Sequence, residues 1–274
     1  MKRVLSSSLT KRTRYLGPSN FGVINYCAAY VAFFTSVCSL GLEGVLVKEL
    51  VTSPEKEGEL VGTALFMRLV TGSLSIRSIC LILFVVDKGD RLVMIVGLLQ
   101  SLVLLFKAFE VMDFWFQSKL QSKHVAIVKM VSYVLVAAYK IYILATFKPV
   151  EWFAFSTSLD FLIIAILLIF VYKRYDGPKM KINLDTSKFL IKNSYHFIIS
   201  GLFVTVYSQM DKIMIQKFLD ETQVGYYSIA TTMFGYWVLV TTALTNAARP
   251  SIMSQKKIDE QSYIKRLKQL YRCV

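Results

Sequence analysis

Apolar residues in this chain come in long unbroken runs, without the alternation of a half-buried strand or the single stripe of a surface helix. Seven runs stand out: Phe21–Leu42, Leu60–Val86, Leu92–Phe109, Val125–Phe147, Trp152–Tyr172, Phe189–Met210 and Tyr226–Ala247. A helix of about 20 residues crosses a hydrocarbon core of about 30 Å. Backbone groups in lipid have to be satisfied within the element, so helices are the default. Polar residues gather in short connectors, as in a helical bundle. The pattern predicts an all-α, polytopic transmembrane bundle.

Composition agrees. Of 274 residues, 55% are hydrophobic and 18% charged, against about 45–50% and about 25% for a soluble domain. The formal charge of +14 would suggest nucleic acid in a soluble protein. In a chain of spans, topology and lipid head groups explain loop lysines first. Membrane lipids are therefore expected partners and nucleic acid is not. Lys56, Lys119, Lys123, Lys173, Lys179 and Lys188 fall in one set of connectors, which the charge bias predicts to be cytoplasmic; Arg14, Lys88, Lys148 and Lys217 fall in the other. Cys27, Cys38 and Cys80 sit in apolar runs, Cys273 sits at the end, and no C-x-x-C occurs. They read as small apolar fillers. With only His124 and His196 present, no histidine-based metal site is expected. No Walker motif or dinucleotide loop occurs, so no cofactor is expected. The residues before Arg14 lack the apolar core of a cleavable signal peptide.

The stretch R-Y-L-G-P-S-N-F-G, Arg14–Gly22, is turn chemistry just before the first run. It has a counterpart. R-Y-L-G-P-S-N-F-G-V-I-N (Arg14–Asn25) and K-F-L-D-E-T-Q-V-G-Y-Y-S (Lys217–Ser228) share basic, aromatic and leucine positions, an apolar residue and a glycine, at a constant offset of 203. Six runs separate the two copies, which gives them the same orientation. Parallel repeats of this kind build transporter folds. The offset maps Phe189–Met210 onto positions that mostly precede Met1. The chain thus reads as part of a protein of about twelve or more helices. Residues 1–187 would be a first bundle lacking most of its first helix. Residues 188–274 would be two helices and a basic segment of the second. That segment, Gln255–Tyr271, has apolar residues near helical spacing and is expected to lie along the inner membrane surface.

Four motifs in order carry a resemblance: the Arg14–Asn25 turn, S-L-G-L-E-G-V-L-V-K-E-L (Ser39–Leu50), Q-M-D-K-I-M-I (Gln209–Ile215) with V-G-Y-Y-S-I-A (Val224–Ala230), and A-A-R-P-S-I (Ala247–Ile252). Together they resemble the polysaccharide biosynthesis exporters, the oligosaccharide-lipid flippases of O-antigen and capsule pathways. These belong to the multidrug/oligosaccharidyl-lipid/polysaccharide exporter superfamily. The resemblance implies a MATE-like pair of bundles of about six helices each around a central cavity. It implies transport of polyprenyl-pyrophosphate-linked oligosaccharide across the plasma (inner) membrane, alongside other surface-polysaccharide assembly proteins. It implies a transporter rather than an enzyme.

Ionisable residues inside spans are expensive, so they are the site candidates. A pyrophosphate calls for cations. Lys129 and Lys140 are eleven residues apart and return to within about 20° of one helix face. They read as a cationic track or as snorkelling residues, with Lys140 the stronger candidate for the substrate. Arg68 and Arg77, nine residues apart, are half a turn out of phase, so both cannot face one cavity squarely. Each is a substrate candidate, with a packed helix contact as the alternative for Arg77. Lys192 and His196 lie at i,i+4, Lys192 as a cavity residue and His196 as a coupling group or a packing histidine. Asp160 reads as a second coupling candidate or as the partner of a basic residue. Lys107 and Glu110, at i,i+3, read as a self-contained pair near the inner interface. Asp211 with Lys212 marks the outer end of its helix.

Competing functions remain at this level. A multidrug/cation antiporter of the same superfamily would favour an acidic cavity, whereas these candidates are mostly cationic. A membrane glycosyltransferase or ligase would need a catalytic constellation on an outer loop, where D-K-G-D (Asp87–Asp90) is nearly all there is. A non-functional truncated product is the last alternative.

Overall fold

The computed structural model describes residues 17–146 and 148–256, with side chains as far as Val238. The turn before Gly17 and nearly all of the basic segment Gln255–Tyr271 lie outside the described residues. Helix makes up 89% of the structure, and no strand occurs among the described residues. The chain divides into two compact units, Met1–Gly225 and Tyr226–Val274. The second is described as one helix running to Lys256.

Pro18 opens the first helix, α1 (Pro18–Ser39), where its missing N–H is no loss. Leu40 and Gly41 then take left-handed φ values of 52° and 57°, and α2 (Leu42–Thr52) resumes at an angle. A Cβ at Gly41 would lie 2.6 Å from the Phe197 Cβ and 2.9 Å from the Ile198 amide nitrogen. The bend and the approach of a later helix therefore both require glycine here. A short 3₁₀ turn leads into α3 (Glu57–Val86). The Asp90 carboxylate caps α4 (Arg91–Ser101), accepting from the Leu92 amide at 2.8 Å. The same span continues as α5 (Val103–Phe106), a 3₁₀ turn (Lys107–Glu110) and α6 (Val111–Ser118). Then follow α7 (Ser122–Thr146), α8 (Val150–Arg174), α9 (Leu184–Phe218) and α10 (Glu221–Lys256).

Among the described residues, six stretches are long and apolar enough to cross a membrane: Pro18–Thr52, Pro54–Val86, Arg91–Ser118, Ser122–Thr146, Val150–Arg174 and Leu184–Phe218. They contain the cores of the first six predicted runs, and the protein is a multi-pass membrane protein. The seventh run, Tyr226–Ala247, falls within α10, whose side chains beyond Val238 lie outside the described residues. The third span is longer than its run. The sequence ends it at Phe109, where charges begin; the helix continues to Ser118 because those charges turn inward.

Two apolar clusters hold the first unit together. One joins Leu46, Val61, Phe116 and Leu168; the other joins Tyr26, Ile79, Val96 and Ala154. Large apolar side chains are also exposed, among them Leu81, Val85, Met130, Val134 and Ile141. In water such a surface would drive association; on a spanning helix it faces lipid. Cys27, Cys38 and Cys80 are free thiols.

The connector between α8 and α9 is strapped onto the start of α3. The Lys181 amide donates to the Gly58 carbonyl at 2.9 Å, and the Asn183 amide to Thr63 Oγ1 at 3.0 Å. Asn183 Nδ2 donates to Glu59 at 2.9 Å. Any side chain at Gly58 or Gly62 would overlap the backbone of Lys179 or Lys181.

The repeat glycines meet. A Cβ at Gly22 would overlap the carbonyl of Glu221, and one at Gly225 would overlap the carbonyl of Pro18. Both pairs, Gly22 with Gly225 and Pro18 with Glu221, keep the offset of 203. Residue i touching the counterpart of j, while j touches the counterpart of i, is the reciprocal pattern that a twofold axis produces. Ser19 Oγ adds a hydrogen bond to Glu221 at 3.2 Å.

Candidate functional site

α1, α2, α3, the third span, α7, α8 and α9 line an open cavity with two lobes. The polar lobe, of about 570 Å³, lies toward the end of the bundle that carries Gly22. Asn25, Gln100, Thr157, Thr205, Ser208 and Gln209 contribute its amides and hydroxyls, set among apolar side chains such as Ile24, Val31, Val103 and Val204 that make up most of its surface. The charged lobe, of about 630 Å³, lies toward the end that carries the strap. Its charged residues are Glu43, Arg68, Lys107, Glu110, Asp113 and Lys129. Between them is a small enclosed pocket of about 20 Å³ bounded by Thr35, Cys38, Ser39, Arg68, Lys107 and Glu110. That is room for about one water molecule.

Lys107 lines all three spaces and is the only charged residue among those described in the polar lobe. The α-helical pattern of its span is interrupted at Leu102 and tightens into a 3₁₀ turn at Lys107, which changes the phase of the side chains that follow. Its Nζ lies 5.5 Å from the centre of the Phe161 ring, a cation–π contact. No carboxylate among the described residues lies within 4.0 Å of it. The sequence pairs Lys107 with Glu110; in the structure the ion pair of Glu110 is with Arg68. The buried guanidinium on α3 reaches across the turn to the carboxylate, while Lys107, more than 4.0 Å away, still acts on its charge.

Arg68 is only 5% exposed. Nη1 donates to the Lys107 carbonyl and Nη2 to the Ser39 carbonyl, each at 3.4 Å. Nη1 also lies 3.8 Å from Glu110 Oε2. The guanidinium carbon sits 5.3 Å from the Phe114 ring centre. Nε, buried, has no hydrogen-bond partner. Lys129, on α7, closes the side of the lobe with an ion pair to Asp113 at 2.7 Å. Asp113 also accepts from Gln117 at 3.1 Å. With three cations and three carboxylates, the charged lobe is electrically balanced.

Of the residues singled out in the sequence, the structure thus brings Arg68 and Lys129 to the cavity. It places the others elsewhere. Arg77 is exposed on the far face of α3. Lys140 extends its Nζ over the Phe153 ring on α8, at 5.7 Å, and lines neither lobe. Lys192 and His196 are exposed on α9, with His196 stacked on Tyr195 at 3.7 Å; their neighbour Phe197 is the α9 residue that reaches the charged lobe. Asp160 accepts a hydrogen bond from Ser132 Oγ at 2.5 Å, across the α7–α8 contact. No group of three or more metal-ligating side chains occurs among the described residues.

Outside the spans, Asp87 joins α3 to α1: the Tyr26 hydroxyl donates to it at 3.2 Å. Burial pushes the Asp87 carboxyl above the ordinary carboxylate range.

Sequence reasoning missed two cavity groups. Lys107 was visible as an intramembrane cation but was assigned to Glu110. Gln100 gave no signal: a lone glutamine in an apolar run is unremarked, yet it is 3% exposed and its Oε1 has no partner. A family model described as polysaccharide biosynthesis protein matches residues 9–254. No curated protein and no solved structure matches the chain.

Proposed function

Because the chain belongs to the polysaccharide biosynthesis protein family, we propose that it flips a polyprenyl-pyrophosphate-linked oligosaccharide across the plasma membrane. The diphosphate binds between Lys107 and Arg68. The sugars lie against the amides and hydroxyls of the polar lobe. The observation that carries this reading is Lys107: a cation in the middle of a span, shared by both lobes, with no carboxylate among the described residues within 4.0 Å of it. A lysine at such a depth costs about 2.5–3.5 kcal/mol in lipid, and an anionic partner offsets that cost. Amide and hydroxyl side chains both donate and accept, which suits sugar hydroxyls. A transporter role fits the family and the helical fold.

The cation-antiporter reading has one feature in its favour, the three carboxylates of the charged lobe. Two of them are occupied, Glu110 by Arg68 and Asp113 by Lys129. That leaves exposed Glu43 alone for a cationic cargo, and the anionic cargo is preferred.

The test is flipping of a fluorescent polyprenyl-pyrophosphate oligosaccharide by the chain in proteoliposomes. Lys107→Met is expected to lower the rate about 10- to 100-fold, the value of one charge-assisted contact, with melting temperature unchanged. A wild-type rate in Lys107→Met would refute the reading.

A further inference from the structure

Two carboxylates on successive turns of the third span face the charged lobe, and they are held very differently. Asp113 takes donors from Lys129 at 2.7 Å and Gln117 at 3.1 Å. Glu110 has one ion pair among the described residues, Arg68 at 3.8 Å, which is too long for a hydrogen bond; Lys107 and Lys129 act on its charge from farther off. Arg68 keeps Nε unpartnered while it is 5% exposed. The loosest acid in the lobe thus sits against a cation with donor capacity to spare, and both border the small pocket beside Lys107.

The charge balance makes this consequential. Three cations and three carboxylates line the lobe. A diphosphate entering it would leave the space strongly negative unless a carboxylate gives up its charge. From the geometry we infer that Glu110 is a displaceable counter-ion: an anion binding to Arg68 and Lys107 takes its place, and Glu110 takes up a proton as it lets go. The groups facing Glu110 support that exchange. α3 presents Arg68, and α7 presents Lys129, already held by Asp113. The segment of Glu110 itself presents Lys107 and Asp113, and α2 presents Glu43. α1 presents Thr35, Cys38 and Ser39, and α8 presents Phe161. No histidine competes for the proton. Net transfer of one anionic lipid would then carry a proton with it, a coupling that places the titrating group at the substrate itself.

This rests on the anion-binding reading of the cavity, and the experiment separates the two. Inorganic pyrophosphate is titrated calorimetrically into the full chain in lipid nanodiscs, at several pH values and in buffers of different ionisation enthalpy. Glu110→Gln and Glu43→Gln are run beside wild type. Wild type should take up about one proton more per pyrophosphate than Glu110→Gln, and its affinity should fall more steeply as pH rises. Glu110→Gln should bind about 10-fold tighter at high pH, because its cations are free. Glu43→Gln should match wild type. Equal proton uptake in wild type and Glu110→Gln would overturn the inference. So would weakened binding in Glu110→Gln at unchanged melting temperature, which would make Glu110 a support for Arg68. Loss of the extra proton in Glu43→Gln would move the role to that residue. No pyrophosphate binding by any of the three proteins would overturn the anion-binding reading along with it.

Discussion

The two lobes share Lys107 but are built by opposite means. In the charged lobe each ion pair joins a buried group to a partly exposed one: Arg68 with Glu110, Asp113 with Lys129. In the polar lobe, neutral amides and hydroxyls stand among apolar side chains, and the Gln100 Oε1 is left without a partner. The lesson concerns where stability and recognition reside. A buried ion pair loses most when one member is removed, because the other is stranded. An unpaired neutral acceptor strands nothing when it is removed, so its value shows only when a ligand donor arrives.

The largest expected effect tests the first half of that contrast. Arg68→Met should lower stability by about 1–3 kcal/mol, since the Lys107 and Ser39 carbonyls lose their donor and Glu110 keeps only the more distant Lys107 and Lys129; thermal melting in detergent measures it. A loss below about 1 kcal/mol would mean that the pair is solvated and the lobe open, as exposed pairs are. Next in size, Gln100→Leu should keep or slightly raise the melting temperature and lower the flipping rate about 10-fold, as expected for one lost substrate hydrogen bond. A fall in stability without a fall in rate would place Gln100 with the structural groups. The smallest effect is expected at Lys140. Its contact is a ring on α8, and Lys140→Met should leave flipping within about threefold of wild type, in the range of substitutions away from a site. A large loss of transport there would move the anion site to α7 and dissolve the division into lobes.

The spans were legible because a run of apolar residues has one physical meaning in lipid. The phase of Arg68 and Arg77 was legible too: half a turn apart, one is buried and the other exposed. The two glycines singled out by the offset of 203, Gly22 and Gly225, tolerate no side chain where Glu221 and Pro18 cross them. The role of Lys107 was not. A lysine followed by Glu110 and Asp113 looks the same whether a helix is leaving the membrane or lining a cavity. The interruption at Leu102 depends on what packs around it, and local sequence does not encode that. Lys140 illustrates the converse. Its spacing from Lys129 fixes a face of α7, but not which neighbour that face meets, and Phe153 comes from another helix.

The strap has a consequence for how the protein is made. The first turns of α3 complete their contacts only with Lys181 and Asn183, the latter bonded across 120 residues of sequence. Synthesis proceeds at about 5–20 residues per second. For several seconds after α3 leaves the ribosome, the groove between Gly58 and Gly62 has no occupant of its own. Three further spans must be made and inserted before the latch arrives. The start of α3 is therefore finished from the α8–α9 connector backwards. A chain stopped before Asn183 would carry α1–α8 and still lack the clasp over the start of α3.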